Sequence, residues 1–228
     1  MVKFLKWDSA FFFKKIGLLE IKDNGQNIEY MNPDDWDLIY LVSDEDFNLS
    51  TEKFNETYSE TKVVFSKRMV SVNDGIDKNI SAAENNISKN QIYALALESG
   101  KFSRFNLDPK FTMTEFKKLY YMWVDNSFHQ DFANAVLVYK LENKIVGFIT
   151  YKISEYFATI GLIAVSPICQ GIGIGRKLIN AVEIELRRLQ IGELRIPTQL
   201  QNEKACEFYI KLGFEIIEKK IIKHYWKV

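Results

Sequence analysis

The chain of 228 residues reads as an α+β (α/β) protein on a mixed central sheet with one parallel strand pair. Three observations predict this. A β-branched, apolar run at 160–165 (I-G-L-I-A-V) leads into Gly171, Gly173 and Gly175, then into a helical pattern with Leu178, Val182, Leu186 and Leu189 on one face. A further strand pattern at 193–199 follows, and strand, helix, strand order implies a parallel pair with a right-handed crossover. Upstream, the runs 135–141 and 144–153 meet at Glu142-Asn143-Lys144, a hairpin turn that makes them antiparallel.

Composition divides the chain into a small α+β unit (1–72), a linker rich in Asn, Asp, Ser and Lys (73–90) and a main domain (91–228). In the first part, W-D-S-x-F-F (from Trp7) reads as aromatic packing or as a stacking surface for a base, and 16–21 as a strand. Asp23-Asn24-Gly25 signals a turn, and 36–42 and 62–72 read as strands; the polar stretch 48–58 between them suits a short helix. With too few strands for an independent sheet, this part should pack on the main domain and wall off part of a cleft.

The main domain opens with a helix at 91–99, stopped by Gly100. An irregular loop carries Ser103, Arg104 and Phe105; Thr112 and Glu115 then have capping-box spacing ahead of a helix that ends near Asn126 and His129. Arg104 and His129 both fall in non-helical pieces of this loop and helix end. After the hairpin come a strand at 157–165, the glycine turn, a helix at 176–190 and the strand at 193–199, where Pro197 lacks an N–H, so the ladder should part there. Asn202 caps the next helix, Gly213 ends it, and strands at 214–218 and 221–228 follow.

Apolar residues make up 47% of the chain, enough for a sizeable core. Lys plus Arg (30) balances Asp plus Glu (30), which argues against nucleic acid or an anionic membrane as partner. Two cysteines give no disulfide framework, and two histidines without a Cys/His cluster predict no metal site. Without a signal-peptide core or a long apolar run, a soluble cytoplasmic protein is expected.

Glycines after a strand let the backbone bend and approach a ligand, and the freed N–H groups at the helix start suit a phosphate. Spacing excludes the two best-known phosphate loops. Five residues after Gly171 stands Arg176 rather than the Gly-Lys of a P-loop, and neither Gly171 nor Gly173 begins G-x-G-x-x-G. A tight turn without ligand remains the plain alternative. What fits is Q-x-x-G-x-G, on Gln170, Gly173 and Gly175, which resembles the coenzyme A pyrophosphate loop of the Gcn5-related N-acetyltransferase (GNAT) superfamily. The string N-E-K-A-C-E-F-Y-I-K-L-G-F from Asn202 resembles the superfamily's second signature. Over nearly the whole chain, W-D-S-x-F-F, S-R-F, W-x-x-N-S, I-G-L-I-A-V and T-Q-x-x-N together resemble the acetyltransferases acting on dTDP-fucosamine.

That resemblance implies a GNAT fold preceded by a truncated GNAT-like half-domain. It also implies acetyl transfer from acetyl-CoA, or another short acyl-CoA, to a 3- or 4-amino group of a dTDP-linked dideoxyhexose, as in surface polysaccharide synthesis. Such enzymes commonly pair as homodimers. A protein or small-amine acceptor, or a non-catalytic coenzyme-binding module, stays open.

The resemblance places Tyr209 beside the coenzyme sulfur as proton donor. It implies that Ile163, Ala164, Val165, Gln170, Gly171, Gly173, Gly175, Arg176 and Asn202 hold the coenzyme, with strand amides near Ala164 and Val165 at the developing oxyanion. Arg176 could equally be a solvated first-turn arginine. His129 could take the amine proton, or be an ordinary loop histidine, and Arg104, Asn126 and Gln199 are candidates for holding the sugar or its diphosphate.

Overall fold

The computed structural model describes residues 2–21, 35–49, 52–69, 75–84, 87, 89–129 and 131–228. The turn expected at Asp23-Asn24-Gly25 and the end of the strand expected at 62–72 lie outside them.

Among the described residues ten strands form one sheet: β1 (Lys3–Phe4), β2 (Ile16–Ile21), β3 (Leu38–Ser43), β4 (Phe54–Arg68), β5 (Ile80–Ala82), β6 (Ala135–Leu141), β7 (Lys144–Ile153), β8 (Ala158–Val165), β9 (Glu193–Gln199) and β10 (Glu215–Lys227). Their order is β1-β2-β3-β10-β4-β9-β8-β7-β6-β5. Two neighbouring pairs are parallel, β2 with β3 and β8 with β9; the others are antiparallel. The β6–β7 hairpin turns on Glu142 (φ 46°) and Asn143 (φ 64°), the positive-φ pair that matches strand twist.

Helices cover both faces. On one lie α5 (Ile174–Arg188) and α6 (Glu203–Lys211), whose Leu178, Val182 and Tyr209 share a core with Val63, Phe65 and Ile196 of the sheet. On the other lie α1 (Lys6–Phe12), α2 (Asn90–Ser99), the single turn α3 (Arg104–Leu107) and α4 (Met113–Ser127). Their Phe12, Leu95, Phe105 and Leu119 pack against Tyr40, Phe148 and Trp226. Strand β7 is buried along most of its length because helices flank both its faces. The capping box forms as its spacing requires: Thr112 accepts from the Glu115 N–H while Glu115 accepts from the Thr112 N–H.

Several expectations need correction. The stretch read as a short helix at 48–58 is strand from Phe54 on, where β4 begins; Ser50 and Thr51 lie outside the described residues. Its polar residues conceal a strand because they find partners outside it: Glu56 accepts from the Tyr225 hydroxyl on β10, and the Thr57 hydroxyl donates to Asp108. The final two strands are one, β10, continuous through a bulge at Ile217 because β4 supplies a ladder along its whole length. Part of the stretch read as a linker is edge strand β5, paired with Leu137–Tyr139, and Ile80 is buried there. Trp7 to Phe12 belong to helix α1, and Arg104 opens α3 on a Ser103 cap rather than lying in a loop. Residues before 73 supply β1 to β4 of the same sheet that carries the later strands.

Candidate active site

Strands β8 and β9 pair only at Ala158–Leu194 and Thr159–Arg195 and then part. A bulge causes the parting. Between the Ile149–Ile163 and Tyr151–Ile160 pairs, Gly161 and Leu162 both oppose Thr150, whose Oγ1 accepts from the Leu162 N–H at 2.9 Å. Extra twist at a bulge turns the strand from its neighbour. Gly161 is suited to the spot because a Cβ there would lie 2.9 Å from Thr150 Oγ1. From Ile160 onward β8 therefore shows main-chain groups without a partner in β9, and Pro197 removes one N–H from the facing strand. The ladder parts just before Pro197, close to where the sequence places the break.

A cleft of about 1300 Å³ runs through this gap. At one end β8 leads into a 3-10 turn (Pro167–Cys169), and Gln170 folds its side-chain amide back to donate to the Val165 carbonyl at 3.1 Å. Gly171 (φ 82°) and Gly173 (φ 86°) take left-handed backbone, and α5 starts at once, without a side-chain cap on its first turn. The N–H groups of Ile174, Gly175 and Arg176 have no intrahelical acceptor and form an anion-binding end. Gly175 has another purpose: a Cβ there would sit 3.1 Å from the Phe208 ring, so it lets α6 pack against α5.

Tyr209 of α6 reaches the cleft. It is only 5% exposed, its ring lies 5.5 Å from that of Phe65, and among the described residues its hydroxyl has no hydrogen-bond partner. Burial holds its pKa above the ordinary tyrosine value, so the phenol stays protonated. It is thus a dependable hydrogen-bond donor toward developing negative charge. Asn202 caps α6 by accepting from the Ala205 N–H, and this cap fixes the helix that carries Tyr209.

The other end lies on the opposite sheet face. Trp7, Asp8, Glu60, Lys62, Ser103, Arg104 and Tyr120 line it. The Arg104 guanidinium lies 4.3 Å from the centre of the Tyr40 ring. Burial raises the pKa of both Asp8 and Glu60, while Arg104 opposes the rise in each. Tyr120 is pushed up to about 12, chiefly by burial. Beneath this end, Asp108 accepts from Trp226 at 2.9 Å and pairs with His224 Nδ1 at 2.6 Å, both side chains of the Asp108–His224 pair being fully buried. Burial lowers the His224 pKa to about 4, against the opposing pull of Asp108, so the imidazole is neutral at pH 7. Burial works to raise Asp108, but hydrogen bonds from His224, Trp226 and the Lys110 N–H hold it below the ordinary value.

Ile163, Ala164, Val165, Gln170, Gly171, Gly173, Gly175, Arg176, Gln199, Asn202, Tyr209 and Arg104 all line this one cleft. His129 and Asn126 do not. The Asn126 carbonyl accepts from the His129 N–H, and the His129 carbonyl from the N–H groups of Phe132 and Ala133, so the pair closes the end of α4, with His129 exposed. Sequence reasoning missed Asp8, Tyr58, Glu60 and Tyr120. Period-2 alternation through E-T-Y-S-E-T-K from Glu56 was the signal that could have found Tyr58 and Glu60.

Residues 102–214 match the acetyltransferase (GNAT) family. The chain is 40% identical over 73 residues to N-alpha-acetyltransferase 50 of Danio rerio, a stretch that is 32% of this chain and 40% of that protein. Among solved structures it resembles a GNAT-family protein of Novosphingobium aromaticivorans DSM 12444 (TM-score 0.56, 14% identity, covering 84% of this chain and 75% of that one). It also resembles a GCN5-related N-acetyltransferase of Sphaerobacter thermophilus (TM-score 0.54, 14% identity, covering 83% and 60%). The family match lies within residues 102–214, and the chain has the GNAT fold of these structures. Among the described residues no group of three or more His, Cys, Asp or Glu could hold a metal, and no helix is long and apolar enough to cross a membrane.

Proposed function

We propose that this chain moves an acetyl or other short acyl group from acyl-CoA to an amine by direct attack within the β8–β9 gap. One observation carries the reading: an anion-binding glycine turn and a protonated tyrosine open on the same cleft, joined by a strand edge with unpaired main-chain groups. The amides around Gly171, Gly173 and the first turn of α5 hold the pyrophosphate of acyl-CoA, with Arg176 and Gln170 beside them. Extended, amide-bearing chain adds to the free edge of β8 much as a strand would. The strand amides near Ala164 and Val165 polarise the thioester carbonyl. Tyr209 donates to the departing sulfur.

The acceptor we favour is the amine of a dTDP-linked 3- or 4-amino-dideoxyhexose. The acceptor end supports it with an exposed ring for a base, Trp7 (47% exposed, stacked on Phe11 at 5.3 Å), and with Lys62, Lys101 and Arg104 for a diphosphate. Asn126, away from the cleft, drops out of the sugar-binding set. The same reading carries a homodimer, which sedimentation would test. The similarity to an N-alpha-acetyltransferase favours a protein amine as the second reading. Coenzyme A release with dTDP-3-amino sugars, dTDP-4-amino sugars and peptide N-termini separates the two. Turnover on peptides alone would overturn the sugar acceptor.

A further inference from the structure

We propose that Glu60, on a strand outside the family-matched segment, is the general base that takes a proton from the acceptor amine. The proposal rests on the acyl-transfer reading above and deepens it.

Glu60 is 3% exposed yet lines the cleft, and among the described residues it makes no ion pair. A buried carboxylate without a direct ion pair is costly unless its site uses it, and Arg104 and Lys62 offset that cost only as charges nearby. The Tyr58 hydroxyl donates to Glu60 Oε2 at 2.9 Å, which orients the carboxylate; among the described residues Oε1 has no hydrogen-bond partner. Strand alternation fixes its direction. Phe65 faces α6 and meets Tyr209, and Glu60, five positions earlier on the same strand, projects to the other face. The two groups therefore stand on opposite sides of the gap through which the acyl group must be reached. Direct attack needs this division, because the nitrogen sheds protons on one side of the carbonyl while sulfur gains one on the other.

The protons balance. An acceptor that arrives as an ammonium loses two protons by the time the C–N bond has formed and the C–S bond has broken. Glu60 takes the first, which frees the lone pair for attack, and passes it to solvent; the second leaves the far more acidic nitrogen of the tetrahedral adduct directly for water. Tyr209 supplies the one that sulfur gains and is reprotonated from solvent, so the net release is one proton. The groups that bias Glu60 are Tyr58, Arg104, Lys62 and, through its own titration, Tyr120. Burial leads and raises the Glu60 pKa, which makes its carboxylate a stronger base.

Glu60→Gln keeps the shape and can still accept from Tyr58. At saturating acetyl-CoA, acetylation of a simple primary alkylamine, protonated at neutral pH, is compared with that of hydroxylamine, largely unprotonated there. The expected loss for the alkylamine is roughly 100-fold or more, the usual size of general-base assistance, and only about threefold for hydroxylamine. The acid limb of the alkylamine kcat/KM profile should disappear in the variant, with thermal melting and acetyl-CoA affinity unchanged. Equal losses for both amines, or none, would overturn the assignment. Wild-type chain that binds acetyl-CoA but acetylates no amine would sink the transferase reading, and this proposal with it.

Discussion

The two ends of the cleft are built by opposite means. The donor end is mostly backbone: two left-handed glycines, a helix start without a side-chain cap, and a strand edge left open by a bulge. The acceptor end is mostly side chain, gathered from α1, β4, α3 and α4, and it stands on a buried Asp108–His224 pair. Backbone recognition suits a ligand that never changes, such as a pyrophosphate. Side-chain recognition can be re-tuned one substitution at a time.

This contrast is open to breaking. Gly173→Val puts a β-branched residue at a φ of 86° in the glycine turn and should cut acetyl-CoA affinity by about 100-fold or more in a calorimetric titration. Unchanged binding would mean that the donor end is not held by backbone. Tyr209→Phe should lower kcat at least about tenfold with coenzyme affinity preserved, and near-normal turnover would remove Tyr209 from the proton-donor role. Arg104→Gln should raise the acceptor KM about tenfold, the value of one charge-assisted contact, while leaving acetyl-CoA affinity alone. A change in both would show that the two ends are coupled.

Acid should distinguish the ends as well. The folded pKa of His224, about 4, lies below its unfolded value of 6.5, so the unfolded chain binds the extra proton and stability falls as pH drops through that window. Asp108, also depressed, adds its loss below the ordinary carboxylate range. Tm should therefore decline from pH 6.5 to 4 in a melting series, and a flat profile would show that the buried pair is not as the fold presents it. The smallest effect is expected at His129: His129→Ala should leave kcat/KM within about twofold, as for surface positions away from a site.

The same contrast explains what could be read from the sequence. Gln170 to Gly175 and Asn202 to Gly213 are contiguous, and their φ demands, caps and periodicity are local, so residue order alone exposes them. The acceptor end has no such continuity. Glu60 comes within reach of Arg104 only because β4 lies between β9 and β10, and its strand looks helical and polar until those neighbours are known. His129 misled for the converse reason. A near-neutral pKa made it an attractive base by type, yet its backbone is committed to closing α4, away from the gap.

Strand β10 lies between β3 and β4, which precede it by well over a hundred residues. During synthesis those two strands must wait, each with an open hydrogen-bonding edge, until residue 227 clears the ribosome. Premature termination a dozen residues earlier would do more than shorten the chain. It would leave a gap in the middle of the sheet, take away His224 and Trp226, and deliver two sticky edges to the cell's quality-control machinery.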